Sequence, residues 1–418
     1  MRCCRSSRPE QPRTQRRPEN MGWPIHRPTG LTHHNPARSS KGYTLVCGTN
    51  ANDAVLIDMQ GRVVHRWRID DRRFFTVELL PNGNLLALVA PEHPPAPRTS
   101  GSESRFAVDP GGPPEIFNML GGRGNGLREL DWDSNTVWEY DNPGIHHDFH
   151  RLDNGHTVTL EWVEMTKDIE EAVIGGGRQP DQPMPPNMMG DDIIEIDAEG
   201  AEVSRINLWK VLKPEDAIIC PLENTWEWTH VNSIEQIPDG GLLFSARNVS
   251  TIGIVDPPED DGPGTLRWRF GQPEISHQHH ASWQDDGRVL VYDNGMHRLQ
   301  DLAYSRILSI DPETDEFDVV FQGDPREQFF SAHISGVARL PNDNHLVTEG
   351  AAGRLFEVDS QGTVVWEWVS PFQMKQRGDL ANWVFRAWRY GADYSGLAGR
   401  ELNADQHIDF NRLHGLVE

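Results

Sequence analysis

The sequence predicts an all-β fold, a six-bladed β-propeller of four-stranded antiparallel blades. Two patterns lead to this prediction: a phrase that places an aspartate after an apolar strand occurs six times, and a second phrase of strand, turn and strand alternates with it. Two hairpins per repeat make a four-stranded sheet, and a ring of such sheets leaves only short strand edges exposed. A β-sandwich or a β-helix fits this alternation less well.

The first phrase is an alternating apolar run that ends in aspartate, followed by a turn and a second run that usually contains tryptophan. Alternation with a period of two is typical of strands, and the turn between the runs indicates a hairpin. The six aspartates are Asp58, Asp131, Asp197, Asp256, Asp311 and Asp359. We expect the tryptophans to pack between neighbouring blades, because large aromatic side chains dominate contacts of this kind.

The second phrase is a hairpin whose strands join at a turn rich in proline, asparagine, aspartate and glycine. Five copies are clear, at 76–88, 147–160, 230–247, 279–292 and 333–348. The sixth is predicted to combine residues 42–46 with a strand near the C-terminal end, at 383–386. This pairing would close the ring.

These patterns divide the chain of 418 residues into three parts. Residues 1–41 are predicted to form a disordered leader, in which Met21 is an alternative start; residues 42–390 form the propeller, and residues 391–418 form a C-terminal tail. Insertions rich in proline and glycine, 91–126 and 163–190, interrupt two blades. We expect them to be lids, since long loops in a compact domain are commonly functional.

Charge and composition exclude several classes of function. The formal net charge of −24 disfavours binding to nucleic acid or to an anionic membrane surface. No run of about 18 apolar residues occurs, so no transmembrane helix is predicted. The four cysteines are too few for a disulfide framework and no secretory signal is readable, so we expect a cytoplasmic location.

Histidines recur at equivalent places in the second phrase. The four are His147, His230, His279 and His333. Each stands an even number of residues before the turn glycine or its equivalent, and since strand side chains alternate, an even offset places all four on one face unless a bulge intervenes. His146 and His280 stand at odd offsets and are expected to face the other way. Four such residues on blades that converge on one axis favour a functional site.

Arg247 indicates what this site would bind. It ends the hairpin that His230 begins, and its guanidinium offers a planar fork of donors that matches sulfate or phosphate oxygens. A fixed arginine also disfavours a divalent cation nearby. Asn232, in even register with His230, would add a neutral donor, although an asparagine near a strand start is as often a turn cap. The residues therefore predict an anion site.

The same residues carry a family resemblance. The runs THVNSI at 229–234, SAR at 245–247, QHHA at 278–281 and HHD at 146–148 resemble those of the bacterial arylsulfate sulfotransferases that need no adenylyl sulfate donor. The resemblance extends over most of residues 42–390. It implies a six-bladed propeller in which a histidine is transiently sulfurylated during ping-pong transfer from an aryl sulfate to a phenol.

By this resemblance the nucleophile is His279, and His230, Arg247 and one of His146 and His147 complete the catalytic site. His279 would attack sulfur, His230 and Arg247 would hold the sulfuryl oxygens, and His147, which the even offset favours, would carry the phenolic proton. Further candidate substrate-binding residues are Asn232, His146, His280 and His333. The expected partners are a small aryl sulfate and a phenolic acceptor, and no metal or cofactor is implied.

Two other classes of function stay open at this point. Four histidines from four blades also resemble the arrangement in the carotenoid oxygenase propellers, which bind iron, so a metal-dependent oxygenase or hydrolase is the second interpretation. Arg247 opposes it, as does the blade count, because that family has a further blade. The third interpretation is a non-catalytic propeller that serves as an interaction module. The characterised sulfotransferases of the family have an export signal, an additional N-terminal domain and a disulfide, which are not readable here.

Overall fold

Six antiparallel sheets surround a central channel, which confirms the predicted six-bladed propeller. The structure is a computed structural model that describes residues 28–91, 115–177, 187–258, 262–298, 301–376 and 379–417. The first fourteen strands are β1 (Gly30–His34), β2 (Tyr43–Cys47), β3 (Asp53–Ile57), β4 (Val63–Arg68), β5 (Arg72–Leu79), β6 (Leu85–Pro91), β7 (Gly126–Leu130), β8 (Thr136–Asp141), β9 (Ile145–Arg151), β10 (Thr157–Glu164), β11 (Met189–Ile196), β12 (Glu202–Asn207), β13 (Val231–Gln236) and β14 (Leu242–Ala246). The remaining strands are β15 (Thr251–Asp256), β16 (Thr265–Gly271), β17 (His279–Trp283), β18 (Val289–Asp293), β19 (Arg306–Ile310), β20 (Phe317–Gln322), β21 (Gly336–Arg339), β22 (His345–Glu349), β23 (Arg354–Val358), β24 (Val364–Val369), β25 (Met374–Gln376), β26 (Asp379–Ala381) and β27 (Ala387–Tyr390).

The strands follow a simple order around the ring. Blade 1 is β27-β2-β3-β4, and blades 2 to 5 take the next sixteen strands in groups of four, from β5 to β20. Blade 6 contains β21 to β24 and has β1 on its outer edge. β25 and β26 form a separate hairpin. Short helices α1 (Lys167–Ala172), α2 (Leu208–Val211) and α3 (Ile408–Leu413) complete the secondary structure of the described residues apart from 3₁₀ turns. No helix in the described part of the chain is long and apolar enough to cross a membrane.

The recurring aspartate closes the outer hairpin of most blades. Asp58 Oδ1 accepts the backbone N–H groups of Gln60 and Arg62, both at 2.9 Å. Asp131, Asp197 and Asp359 accept two backbone N–H groups in the same way. An aspartate that bonds the backbone two residues on favours a tight turn. The aspartate whose repetition indicates the number of blades is therefore the residue that stabilises their outer turns.

Tryptophans join several blades to their neighbours, as the sequence predicts. Trp67 Nε1 of blade 1 donates to Asp131 O of blade 2 at 3.1 Å, and Trp366 of blade 6 donates to Met59 O of blade 1 at 3.0 Å. Both tryptophans are fully buried. Trp209 differs, because it donates to Asp192 of its own blade.

The ring closes later in the chain than predicted. β2 pairs with β27, with Tyr43 opposite Tyr390 and Val46 opposite Ala387, so the closing strand is Ala387–Tyr390 and not residues 383–386. Residues 384–385 instead make backbone hydrogen bonds to blade 6 at Gly350 and Ser335. Their apolar character resembles that of a strand, which explains the wrong position.

Parts of the expected leader and tail are ordered in the structure. Residues 30–34 pair with β24 as a fifth strand of blade 6, so the predicted disorder is wrong for this part of residues 1–41. In the tail, Asn411 of α3 bonds both backbone groups of Val63 at 2.8 and 3.0 Å. Residues 1–27 and parts of the two insertions, 92–114 and 178–186, lie outside the described residues. The division into domains and the lid role therefore stay predictions.

Candidate active site

Three of the predicted histidines meet at one end of the channel. His147 lies in β9, His230 directly precedes β13, and His279 begins β17. His147 Nε2 lies 3.1 Å from His230 Nε2. The ring of Phe385 has its centroid 6.2 Å from that of His147 and 6.5 Å from that of His279, so one aromatic ring borders both. Side chains from blades 3, 4 and 5 thus converge.

The histidine side chains are directed towards one another by bulges in their strands and not by regular strand alternation. β9, β13 and β17 each shift register where the cluster lies. His147 and His230 have φ angles of 55° and 52°, a left-handed conformation that is costly for a residue with a Cβ and that concentrates at functional sites. His280 also has a positive φ, of 52°, next to the bulge in β17. The parity rule therefore does not hold here, although it selects three residues that cluster.

Asn294 fixes the orientation of His279. Asn294 Nδ2 donates to the backbone oxygens of Ser331 and Ile334 at 2.8 and 2.9 Å, so its Oδ1 is the atom that faces His279 Nδ1, at 2.8 Å. Since an amide oxygen only accepts, Nδ1 of His279 carries the hydrogen. The lone pair of the neutral ring then lies on Nε2. This is the tautomer that a histidine nucleophile needs when Nε2 reacts.

Burial keeps His279 neutral. The pKa of His279 lies well below its usual value, first because the ring is buried and then because the Arg247 guanidinium and the neighbouring imidazoles disfavour a further positive charge. His333 belongs to these neighbours and also contacts the Trp383 ring, with centroids 4.6 Å apart. His279 is therefore an unprotonated nitrogen base at neutral pH.

A chain of polar contacts crosses the site between two carboxylates. Asp191 Oδ1 lies 3.1 Å from His146 Nε2, His146 Nδ1 lies 2.7 Å from His147 Nδ1, and His147 meets His230. His230 Nδ1 ends the chain 2.5 Å from Glu227 Oε1. We call these five side chains the histidine relay. It joins blades 3 and 4 through the cluster.

The relay needs one proton more than three neutral imidazoles supply. Three of its contacts are hydrogen bonds and need one hydrogen atom each, and the close pair of Asp191 Oδ1 and His146 Nε2, which lies outside hydrogen-bond geometry, needs a proton between its two acceptors as well. Three neutral rings carry one hydrogen each when both carboxylates are ionised. Although burial favours a neutral acid, hydrogen bonds from His146, Thr229 and the Val231 N–H hold the pKa of Asp191 below its usual value. Burial, followed by the charge of its neighbours, lowers the pKa of His147, which disfavours the additional proton on that ring. The relay can store and return one proton.

Arg247 lies at the end of the hairpin that includes His230. Its backbone N–H donates to His230 O at 3.0 Å, which closes the hairpin as the sequence predicts. Its guanidinium contacts Asn248 Oδ1 and Glu223 Oε1, each at 2.9 Å. A guanidinium has more donors than these two contacts use. Arg247 is thus held in place with donors left for an anion.

A glycine pair from the first insertion covers the relay. A Cβ on Gly122 would lie 2.1 Å from His147 Nε2, and a Cβ on Gly121 would lie 3.3 Å from His230 Cε1. Gly122 has a φ of +79°, and its carbonyl accepts the His147 N–H at 2.8 Å. Only glycine combines this conformation with so close an approach.

Two predicted binding residues lie elsewhere. Asn232 is fully buried, and its Nδ2 donates to Gln278 O at 2.8 Å, which ties blade 4 to blade 5. His280 Nδ1 accepts the Val337 N–H at 3.1 Å and lines a cavity of about 310 Å³. That cavity continues the channel, because its lining residues follow the cluster residues along each inner strand. It also contains Glu78 and Glu235, whose pKa values burial raises to about 7.

Comparison with known protein families gives a match to the arylsulfotransferase (ASST) family over residues 117–371. The chain belongs to this family. The matched segment is more than half of the chain and contains every member of the cluster, so the predicted family is confirmed. This supports a sulfotransferase that acts on small-molecule substrates.

Solved structures are similar to this chain at low sequence identity. A protein of unknown function from Bacteroides caccae is 12% identical, with 84% of this chain and 99% of that one covered and a TM-score of 0.49. A streptogramin B lyase is 12% identical, with 87% and 93% covered and a TM-score of 0.42. A virginiamycin B lyase from Staphylococcus aureus is 13% identical, with 81% and 83% covered and a TM-score of 0.40. No curated protein matches.

Four residues of the candidate site were not identified by the sequence argument. Asn294, Asp191, Glu227 and Glu223 hold the histidines and Arg247. Asn294 had a readable signal, since the run DNG at 293–295 directly follows a predicted strand. Asp191 and Glu223 had none, because they reach the site from other segments only after the blades have formed, whereas Glu227 stands three residues before His230 and was overlooked.

The four channel histidines do not form a compact ligand set. Within the described residues, three side chains with ligand atoms within 4.8 Å of one another are Cys220, His277 and His297, and none of these belongs to the predicted four. The geometry therefore gives no support to the four-histidine metal interpretation.

Proposed function

We propose that this protein transfers a sulfuryl group from an aryl sulfate ester to a phenolic acceptor through a sulfohistidine at His279. The observation that carries the proposal is the contact between Asn294 Oδ1 and His279 Nδ1 at 2.8 Å, which directs the lone pair of a neutral imidazole to Nε2. In the first half-reaction Nε2 attacks sulfur, an N–S bond forms, and the bond between sulfur and the aryl oxygen breaks. The second phenol then attacks the same sulfur and releases His279.

Arg247 and His230 supply the groups that would hold the sulfuryl oxygens. Charge shifts among these oxygens during transfer, and donors fixed in advance stabilise it better than mobile water. The ion pair with Glu223 and the bond to Asn248 hold the Arg247 guanidinium in one orientation. The aryl rings would pack near Phe385, which borders the cluster.

The relay accounts for the proton. The departing aryl oxygen takes the stored proton, and the incoming phenol returns one, so the relay is unchanged after a full cycle. The contact between the Nε2 atoms of His147 and His230 is the place where a phenolic oxygen would insert, because it is the one junction between two different blades with both nitrogens directed at each other. Such proton transfer contributes typically about 10²–10⁴-fold to the rate.

The test uses a chromogenic nitrophenyl sulfate as donor. Without acceptor, we expect a burst of one nitrophenol per enzyme and a sulfuryl adduct on His279 by peptide mass spectrometry, because ping-pong transfer accumulates the covalent intermediate. Addition of a phenol should discharge the adduct into an aryl sulfate. His279→Ala should abolish the burst, whereas His345→Ala, which alters a strand histidine of blade 6, should retain it. Unchanged transfer by His279→Ala, or a label on another residue, would refute the proposal.

A further inference from the structure

A second cluster of ligand-type side chains lies beside the candidate active site. Cys220, His277 and His297 each place one ligand atom within 4.8 Å of the other two, and the Glu223 carboxylate lies next to both imidazoles. Cys220 and His277 are buried, whereas the His297 side chain is 18% exposed and leaves a path from solvent. The proposed sulfuryl transfer gives no role to Cys220, His277 or His297.

The spacing of the ligand atoms matches a tetrahedral site. Zinc binds sulfur at about 2.3 Å and nitrogen at about 2.0–2.1 Å, which places sulfur and nitrogen ligands about 3.6 Å apart and two nitrogen or oxygen ligands about 3.4 Å apart. Cys220 Sγ lies 3.4 Å from His297 Nδ1. Glu223 Oε1 lies 3.2 Å from His277 Nε2 and 3.8 Å from His297 Nδ1. Small adjustments would bring these edges to the ideal values.

His277 directs a buried lone pair into the cluster. The Ser276 hydroxyl donates its hydrogen to Met296 O at 2.6 Å. Its oxygen therefore acts as an acceptor for His277 Nδ1, which lies 3.2 Å away. Nδ1 therefore carries the hydrogen, and Nε2 of the neutral ring, which is fully buried and meets no partner in hydrogen-bond geometry, faces the Glu223 oxygen. Two acceptors that face each other require a cation between them or a proton. A second ring nitrogen that is held by a hydrogen bond is also typical of metal-ligating histidines.

The backbone is strained at both imidazoles. His277 and His297 have φ angles of 56° and 58°, which side chains with a Cβ rarely adopt. Such strain persists where the surrounding structure demands one side-chain position.

We propose that Cys220, His277 and His297 bind a divalent metal ion of the zinc type, with Glu223 beside the fourth position. One thiolate, two imidazoles and a carboxylate are the ligands that zinc selects over magnesium or calcium. On binding, the Cys220 thiol releases its proton as the S–metal bond forms, so affinity should rise with pH. Glu223 also pairs with Arg247, so its carboxylate would lie between the ion and the guanidinium and would offset the repulsion between these two positive charges. The proposal does not depend on the reaction proposed above.

The test measures metal content and not activity. The full-length protein is stripped with a chelator, dialysed against zinc and analysed by atomic emission, and its affinity is measured by competition with a chromophoric chelator. We expect one zinc ion per chain. Loading with cobalt(II) should give the near-ultraviolet charge-transfer absorption of a cobalt–thiolate bond.

Matched variants decide the outcome. Cys220→Ser and His297→Ala should lose the stoichiometric ion and the cobalt–thiolate absorption, and Ser276→Ala should bind about 10–100-fold more weakly because it releases the His277 ring. Cys47→Ser, which changes the other free buried cysteine, should bind like the wild type. If Cys220→Ser does not fold, His297→Ala still tests the site, because the His297 side chain is partly exposed and its loss should disturb the fold less. The proposal would be overturned if the wild-type protein bound no stoichiometric zinc, or if both ligand variants bound zinc with wild-type affinity. It would also be overturned if the cobalt–thiolate absorption persisted in Cys220→Ser, because other cysteines would then supply the thiolate.

Discussion

Asn294 shows how much of this site depends on a residue that never touches the substrate. It selects the tautomer of His279 by offering an acceptor to Nδ1, and its own two donors are bound to backbone oxygens. The amide can therefore not rotate to present its nitrogen. One hydrogen bond determines which imidazole nitrogen is free to attack.

Asn294→Ala should lower the transfer rate by roughly 10²-fold or more, because nothing then holds the hydrogen on Nδ1 of His279. Asn294→Asp should retain more activity, since a carboxylate still accepts that hydrogen. Both variants lose the donors to Ser331 and Ile334 and should unfold more easily. Transfer kinetics and urea unfolding check this pair. Equal activity loss in the two variants would indicate a purely structural role.

Glu235 makes stability depend on pH. Burial raises its pKa to about 7, with Asp148 and Glu78 adding to the shift and Arg386 and the Trp283 N–H opposing it. A raised pKa contributes stability that is complete below about pH 4.5, the value of an unperturbed glutamate, and that is lost as the pH rises to about 7.

The free energy of unfolding of Glu235→Gln should therefore be closest to that of the wild type near pH 4.5. As the pH rises to 8, the wild type should lose stability and the variant should not, so the difference between them should grow in favour of the variant. The neutral amide still offers an oxygen to the Trp283 N–H. Urea unfolding across this pH range measures the difference. Glu313→Gln, the same change on an exposed turn, should give a flat difference, and a flat result for Glu235→Gln would contradict the argument.

At the scale of elements, the bulges separate what the sequence could predict from what it could not. The turn aspartates are local signals, because each bonds its own following backbone, and they give the correct number of hairpins. The register shifts in β9, β13 and β17 are not local, since they appear only when two strands pair. The argument from even offsets therefore grouped His147, His230 and His279 correctly, but it left out the bulges that bring them together. It also could not identify Asp191 or Glu227.

The glycine pair at 121–122 gives a test at this scale. Gly122→Ala should reduce transfer by at least about 10²-fold, because the new Cβ would displace His147 from the relay. Gly155→Ala is the matched control: its φ is also positive, +88°, but no atom lies within 4 Å of the added Cβ. Both variants should lose a similar amount of stability from the strained conformation, so a comparable loss of activity in both would argue against the relay.

At the scale of the whole molecule, a buried ion pair supports the closure of the ring. Arg389 of β27 pairs with Glu357 of blade 6, and both side chains are almost completely inaccessible to solvent. Glu357 also accepts the Ser40 N–H and the Asn344 amide, at 2.7 and 2.6 Å. The strand pairing that closes the ring lies within blade 1, and the ion pair joins this blade to blade 6 by charge.

Arg389→Met should lower the free energy of unfolding by about 3–5 kcal/mol, because Glu357 would stay buried without its charge partner. Arg68→Met removes an exposed arginine of blade 1, and its effect should be below about 1 kcal/mol. Chemical denaturation measures both. Equal effects would mean that the buried pair adds little to closure.

The late position of β27 also bears on how the protein is made. Its Arg389 bonds Thr44 of β2 across a sequence separation of 345 residues, so β2 waits for nearly the whole chain before it gains its inner neighbour. Contacts of such high sequence separation slow folding. The strands of blades 3, 4 and 5 leave the ribosome earlier and pair with near neighbours in sequence. The histidine cluster can therefore assemble during synthesis, while closure at blade 1 is left as the last step.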